Sequence, residues 1–260
     1  MSNKRALAII DLLGISALTK EKTLAELSII YDNFILRADS FLIPLQGYNS
    51  DEIVLFRNHP IGTPLCHRHI LSDSIVLVAN SDSVEDSLKV IISSWRLLQS
   101  CIAFKRPVRG AIVYDEVLSK PEQNYVIGNA LVNANELEKT QDWMGIVIKD
   151  SFAKELQDEV PNLFGNFFFK HIVHCKEGEK KFEKEYWVLN WRYNFVVKEG
   201  TKSLFEGNPC LNKIENTLAF AEAVVSSGAA YPNDQKKCPA ELRCMFVGDT
   251  EPPFPHGDEY

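Results

Sequence analysis

The spacing of hydrophobic residues predicts alternating strands and amphipathic helices in the first half of the chain. Residues 6–12 are almost all apolar, which predicts a buried strand. Residues 20–42 carry apolar side chains three and four positions apart, the spacing typical of an amphipathic helix. Residues 53–57 and 70–79 predict two strands, and residues 83–104 predict a second helix.

The second half of the chain continues in the same way. Residues 108–118 predict a strand, and Gly128 precedes a predicted helix over residues 129–139. The later predictions are a strand at 145–148, a helix at 150–157, strands at 167–175 and 186–191 around a charged turn at 176–184, and a helix at 211–225. Strands and helices are mixed without strict βαβ alternation, which indicates an α+β fold.

A change in composition near residue 226 predicts the domain organisation. Beyond this point proline, aspartate and lysine become frequent, and the chain ends in a proline-rich acidic segment. Such a segment lacks the apolar residues needed for a core of its own. We therefore expect one domain over residues 1–225 and a proline-rich tail over residues 226–260.

Charge and composition exclude several classes of function. The chain has 260 residues and a net charge of -7, which disfavours a protein that binds along a nucleic-acid backbone. No apolar stretch approaches the length of a membrane span, and the N-terminus does not resemble a signal peptide. We therefore expect a cytoplasmic protein that binds neither membranes nor nucleic acid, with its 6 cysteines reduced.

Two acidic residues at predicted strand ends are the first candidates for chemistry. Asp11 ends the first strand and is followed by Gly14, while Asp73 lies in a predicted hairpin between apolar strands. Each acid alone is more typical of a turn than of a functional site. Together, at the ends of neighbouring strands, they could share hard divalent cations such as Mg²⁺ or Mn²⁺, which prefer oxygen ligands.

A third candidate combines the strand that begins near Arg109 with the helix that follows Gly128. Asn129 and Asn133 are four residues apart and therefore share one face of this helix, where they could contact a ligand or simply face solvent.

In this order, the three segments resemble the catalytic domain of class III nucleotidyl cyclases over residues 6–150. The D-x-x-G motif is matched by Asp11 to Ser16, the hairpin acid by Ser72-Asp73, and the following strand motif by Arg109-Gly-Ala-Ile. The helix motif is matched at Gly128, Ala130, Ala134, Leu137 and Glu138.

This resemblance implies a ferredoxin-like βαββαβ core with an additional C-terminal hairpin and helix, and a head-to-tail homodimer with sites at its interface. The implied reaction converts a nucleoside triphosphate into a 3′,5′-cyclic nucleotide and pyrophosphate. Asp11, Asp73 and the Leu12 carbonyl are implied to hold two Mn²⁺ or Mg²⁺ ions. The implied phosphate-binding residues are Leu13, Gly14, Ile15 and Ser16.

The chain departs from the family pattern at the positions that stabilise the transition state. Aligned on Gly128, the family's asparagine falls on Val132 and its arginine falls on Glu136. The candidate substitutes are Asn133, Asn129 and Arg109. The alternative is a catalytically degenerate module that binds a nucleotide or a partner, and a palm-type nucleotidyltransferase is a more distant one.

The base-selecting positions also depart from the family's purine patterns. One position falls in the segment containing His69 and the other near Tyr125, where neither the adenine nor the guanine pattern is present. Tyr48 is a further candidate for this pocket, although packing in the core or at its rim is the simpler explanation of either tyrosine. The departures favour the pyrimidine-cyclase (Pycsar) branch of bacterial antiphage signalling, which makes cyclic UMP or cyclic CMP.

Overall fold

The computed structural model describes residues 3–29, 64–71, 73–103, 107–161, 164, 167–189 and 213. Tyr48, the predicted strand at 53–57, the tail from 226, and the predicted helix at 211–225 apart from its residue 213 lie outside these ranges. Within them, no helix is both long and apolar enough to cross a membrane.

Nine strands and four helices are defined in the described part of the chain. The strands are β1 (Lys4–Leu12), β2 (His67–Leu71), β3 (Ser74–Val78), β4 (Val108–Glu116), β5 (Leu118–Lys120), β6 (Tyr125–Ile127), β7 (Gly145–Ile148), β8 (Phe168–Glu177) and β9 (Lys180–Leu189). The helices are α1 (Ile15–Glu21), α2 (Val84–Ala103), α3 (Asn129–Lys139) and α4 (Asp150–Glu159), and residues 24–29 are also helical.

Seven of the strands form one sheet in the order β2-β3-β1-β4-β7-β9-β8. Its pairs are antiparallel except for β4 with β7, and β5 and β6 form a separate two-stranded sheet. This arrangement of helices around a large, mostly antiparallel sheet confirms the predicted α+β fold.

Strand β1 lies at the centre of the structure and positions the candidate site. Its residues from Ala6 to Ile10 are buried on both faces, as the apolar run predicted. Helices α2 and α3 both pack against β1 and β4. Because β1 is paired on both edges and packed against helices, Asp11, the residue before its last, has a defined position. The three described cysteines, Cys66, Cys101 and Cys175, are buried free thiols.

The prediction of one continuous helix from residue 20 was wrong at its start, because two separate helical segments meet there. Helix α1 ends at Glu21, and a new helical segment begins after Thr23. The Glu26 main-chain N–H donates to Thr23 Oγ1 at 3.3 Å, and the Thr23 N–H donates to Glu26 Oε2 at 2.8 Å. These reciprocal bonds form a capping box, which starts a helix at this point.

Two strand predictions also need correction. Residues 70–79 are not one strand, because the chain turns between Leu71 and Ser74 and pairs β2 with β3. The charged segment 176–184 is not a long turn, because β8 and β9 continue through it and only Gly178 and Glu179 connect them. Opposite charges face each other across this hairpin, as in the pair of Lys170 Nζ and Glu185 Oε2 at 3.2 Å and in the register partners Glu177 and Lys180, and such pairs favour strand pairing.

Candidate functional site

The end of β1 places three polar side chains in neighbouring positions of the sheet. Asp11 is paired in register with Ser74 of β3 on one side and with Arg109 of β4 on the other. The Ser74 hydroxyl donates to Asp11 Oδ1 at 3.3 Å, and Arg109 Nη2 lies 3.8 Å from Asp11 Oδ2. The Asp11 carboxylate is therefore held between a neutral donor and a cation.

Asp73 lies at the β2–β3 turn and is tied to β1 through the main chain. The Leu12 N–H donates to the Asp73 carbonyl oxygen at 2.9 Å, which brings the backbones of the two candidate metal ligands together. The hairpin predicted around Asp73 and its proximity to the end of β1 both follow from this geometry.

The turn after β1 is fixed in the same manner. The Leu13 N–H donates to the Pro107 carbonyl at 2.9 Å, and Gly14 adopts a φ of 86°, which favours glycine. The side chains of Leu13 and Ile15 are buried, so this turn can offer a ligand only its backbone groups. The side chain of Ser16 lies outside the described part of the structure.

The electrostatics of Asp11 suit a site for a cation. Burial raises the pKa of the Asp11 carboxyl, and the negative charge of Asp73 raises it further. The positive charges of Arg109 and Lys213 and the hydrogen bond from Ser74 act in the opposite direction. A bound divalent cation would relieve the repulsion between the two carboxylates.

The candidate ligand atoms at this site are all oxygens, the type that Mg²⁺ and Mn²⁺ prefer. Two carboxylates and a main-chain carbonyl at Leu12 supply the oxygen atoms that hard cations prefer. Among the described residues, no group of three or more histidine, cysteine, aspartate or glutamate side chains could hold a metal ion. Any ion at this site therefore depends on the pair Asp11 and Asp73, with water or a ligand completing its coordination.

Arg109 belongs to a buried network that the sequence did not reveal. Its Nε donates to Glu138 Oε1 of α3, and its Nη1 donates to the Gln141 carbonyl oxygen at 2.8 Å. Burial raises the pKa of the Glu138 carboxyl, while the charge of Arg109 lowers it. The signal for Glu138 was present, because it follows Ala130 and Ala134 at intervals of four and so shares the buried face of α3.

The candidate asparagines lie far from Asp11 in the same chain. Asn133 Nδ2 donates to Asp115 Oδ2 at 2.8 Å, and Asp115 pairs with Arg5 near the beginning of β1. Arg5 and Asp11 are six positions apart along the extended strand, a distance of about 20 Å. Asn129 is exposed in the first turn of α3. Neither asparagine is brought together with the acids within one copy.

Val132 and Glu136 are also exposed on α3. At these two family positions the helix therefore presents an apolar side chain and an acid instead of donors.

His69 of β2 and Tyr125 of β6 lie on strands that are both linked to β5. His69 is only 1% exposed, and its Nε2 lies 2.8 Å from the Ser119 hydroxyl of β5. His67 Nδ1 lies 3.1 Å from the same hydroxyl. Ser119 pairs with Val126 of β6, next to the half-buried Tyr125. Burial lowers the pKa of His69, which favours its neutral form at pH 7.

Comparison with known proteins identifies the fold. No family model matches the chain, and no curated protein matches it. The structure is similar to the crystal structure of the catalytic core of a rhodopsin-guanylyl cyclase with converted specificity, in complex with ATPalphaS, with a TM-score of 0.50 and 12% identity. The match covers 72% of this chain and 96% of that chain. The chain therefore has the fold of a guanylyl cyclase catalytic core.

Proposed function

We propose that this protein is a metal-dependent nucleotidyl cyclase, which converts a nucleoside triphosphate into a 3′,5′-cyclic nucleotide and pyrophosphate. The observation that carries this proposal is the placement of Asp11 and Asp73 at adjoining strand ends of a cyclase-type fold, joined by the bond from the Leu12 N–H. Residues 1–225 would form the catalytic domain, acting in the cytoplasm, with residues 226–260 as its tail.

In this proposal the residues around β1 bind and orient the triphosphate. Asp11, Asp73 and the Leu12 carbonyl would hold two Mn²⁺ or Mg²⁺ ions. Bound ions of this kind stabilise charge on a phosphoryl group and favour deprotonation of an attacking hydroxyl. The backbone of Leu13 to Ile15 would contact the phosphates. The 3′-hydroxyl of the ribose would attack the α-phosphate, breaking its bond to the β-phosphate and releasing pyrophosphate.

The separation of the candidate residues supports a homodimer with shared sites. Asp11 and Asn133 mark regions at opposite ends of β1, so one copy cannot bring both to one triphosphate. A second copy in the opposite orientation could supply the missing side. Near the second region, Leu118 and Ile127 face each other across β5 and β6 and are both exposed, as is Val132 of α3. These three apolar side chains would be covered in such a dimer.

We expect Ile127→Asp to convert a dimer into a monomer, because a buried, unpaired charge at an interface is strongly unfavourable. Light scattering at micromolar concentration would measure the mass. Ile172→Asp is the matched control, since Ile172 is 54% exposed and Ile127 is 56% exposed. A wild-type monomer, or an Ile127→Asp protein that remains dimeric, would contradict the shared site.

The substrate base that we propose is a pyrimidine, as UTP or CTP, and the product would act as an antiphage second messenger. His69 and Tyr125, at the two base-selecting positions, lie on strands joined through Ser119. His69 Nδ1 is buried and has no hydrogen-bond partner among the described residues. Because this nitrogen is buried, His69 would act on the base indirectly, by holding Ser119 and β5 beside Tyr125.

A non-catalytic module is the second candidate, and specific contacts favour it. Val132 and Glu136 replace the family's donors, and an acid at the second position would repel developing negative charge. Of the candidate substitutes, Asn133 is already bonded to Asp115, and Arg109 to Glu138. Such a module would bind a nucleotide and dimerise without turnover.

The experiment that tests the proposal is incubation of the purified protein with all four NTPs and Mn²⁺, with products identified by mass spectrometry. We expect a cyclic mononucleotide and an equal amount of pyrophosphate, with UTP or CTP as the preferred substrate. Nucleotide binding without pyrophosphate release would favour the non-catalytic module. A longer nucleotide product would instead indicate a transferase.

A further inference from the structure

Arg109 lies beside Asp11 but forms its hydrogen bonds with two other residues, Glu138 and Gln141. The side chain is almost fully buried, and its nitrogens face three acceptors. Nε donates to Glu138 Oε1, Nη1 donates to the Gln141 carbonyl at 2.8 Å, and Nη2 lies 3.8 Å from Asp11 Oδ2. The distance from Nη2 to Asp11 Oδ2 is too long for a charged N–H···O hydrogen bond, in which the two heavy atoms lie about 3 Å apart.

The second anchor, Gln141, is itself fixed. It is fully buried, and its Nε2 donates to the Gly110 carbonyl at 2.9 Å and to the Leu137 carbonyl at 3.0 Å. Its Oε1 accepts a bond from Trp143 Nε1 at 2.8 Å. Because a guanidinium is planar and rigid, fixing two of its nitrogens also fixes the third.

We propose that Glu138 is a positioning residue, which holds Arg109 back from Asp11 so that the Asp11 oxygens stay available to a divalent cation. At 3.8 Å the guanidinium still orients the carboxylate. The inference rests on the proposed metal-dependent function. It assigns a task to a residue that lies on α3 and does not bind the ion.

The reason is competition between two carboxylates for one buried cation. A guanidinium binds a carboxylate most strongly when two parallel N–H···O bonds engage both oxygens. With Glu138 neutralised, Asp11 becomes the nearest anionic partner of Arg109. Closure onto Asp11 would then occupy the oxygens that an ion needs. The other charges acting on Asp11 are those of Asp73 and Lys213, which the substitution leaves unchanged, and the charge of Glu138 itself, whose direct effect must be separated from its hold on Arg109.

The test is Mn²⁺ binding without nucleotide, followed through loss of the free-ion signal in electron paramagnetic resonance. We expect Glu138→Gln to weaken Mn²⁺ binding about tenfold, because Arg109 then competes with the ion for Asp11. The control is Glu179→Gln, which makes the same change of charge at the exposed tip of the β8–β9 hairpin. The control should bind Mn²⁺ as the wild type does.

A double variant separates positioning from a simple charge effect. Arg109→Met alone removes the competing cation, and it supplies the background in which Glu138→Gln is tested a second time. In this background we expect Glu138→Gln to change Mn²⁺ affinity by less than about twofold. Equal weakening in both backgrounds would overturn the positioning role, because it would show that Glu138 acts only through its charge.

A further variant keeps the test decisive if Glu138→Gln does not fold. Glu138→Asp keeps the charge that holds Arg109, so Mn²⁺ binding should stay within about twofold of the wild type. A tenfold loss in this variant would contradict the inference. If folded Glu138→Gln binds Mn²⁺ with wild-type affinity, the Glu138–Arg109 pair is only structural. That result would overturn this inference and leave the proposed function standing. A wild-type protein that binds no Mn²⁺ would overturn the proposed function and this inference together.

Discussion

Replacing Asp11 or Asp73 with alanine is expected to lower cyclase turnover by about 10³-fold or more, because either change removes a carboxylate from the pair that is proposed to hold the ions. Because the two acids act on one site, the turnover of the double variant should be about as low as that of either single variant. Turnover would be measured as pyrophosphate released per minute at saturating Mn²⁺.

The matched control is Asp158→Ala, which removes an acid from the solvent-facing side of α4. It should retain the wild-type rate within about twofold. Normal cyclisation by the Asp11 or the Asp73 variant would show that the metal ligands are assigned wrongly.

Stability distinguishes a chemical loss from an unfolded protein. Because burial raises the pKa of Asp11 in the folded state, its ionised form costs stability at pH values above that pKa. Asp11→Asn should therefore melt no lower than the wild type at neutral pH without metal. Any gain should disappear as the pH falls towards the ordinary aspartate range, where both states of the wild type become protonated.

The elements that the sequence predicted well are those with an unambiguous local pattern. Helix α3 follows Gly128 with regular apolar spacing, and β1 is a continuous apolar run. The charged segment of β8 and β9 was missed because its pairing depends on the partner strand rather than on local hydrophobicity. The break at Thr23 was readable, since threonine followed three residues later by glutamate indicates a capping box.

The candidate site was only partly predictable for a different reason. Asp11 and Asp73 could be expected to lie close together, because one lies near the end of an apolar strand and the other in the hairpin before an apolar strand. The bond from Arg109 to Glu138 joins residues 29 positions apart and depends on how α3 packs against β4, which no local pattern specifies. The separation of Asp11 from Asn133 likewise required the register of β1 against β4. Sequence spacing alone could not indicate that one copy fails to unite them.

Of Gly128, Gly178 and Gly110, we expect Gly128, the residue immediately before α3, to tolerate substitution by alanine least. Gly128 has a φ of 136°, a conformation that side chains strongly disfavour. A Cβ atom there would lie 2.3 Å from the Glu116 carbonyl oxygen and 2.9 Å from the Val117 Cα. Both obstructing atoms belong to the backbone and cannot rotate away. Strain and overlap therefore add, and Gly128→Ala should lower the free energy of unfolding by about 2–6 kcal/mol.

Two other glycines separate these causes in the same denaturation experiment. Gly178 has a φ of 59°, and a Cβ added to it would meet no atom within 4 Å, so Gly178→Ala tests strain alone and should cost about 1–2 kcal/mol. A Cβ at Gly110 would lie 2.6 Å from the Ile9 carbonyl oxygen, so Gly110→Ala tests overlap alone.

A Gly128→Ala protein as stable as Gly178→Ala would mean that the start of α3 can shift. In that case Glu138, which lies on the same helix, would not hold Arg109 rigidly, and the loss of Mn²⁺ affinity expected for Glu138→Gln should shrink accordingly.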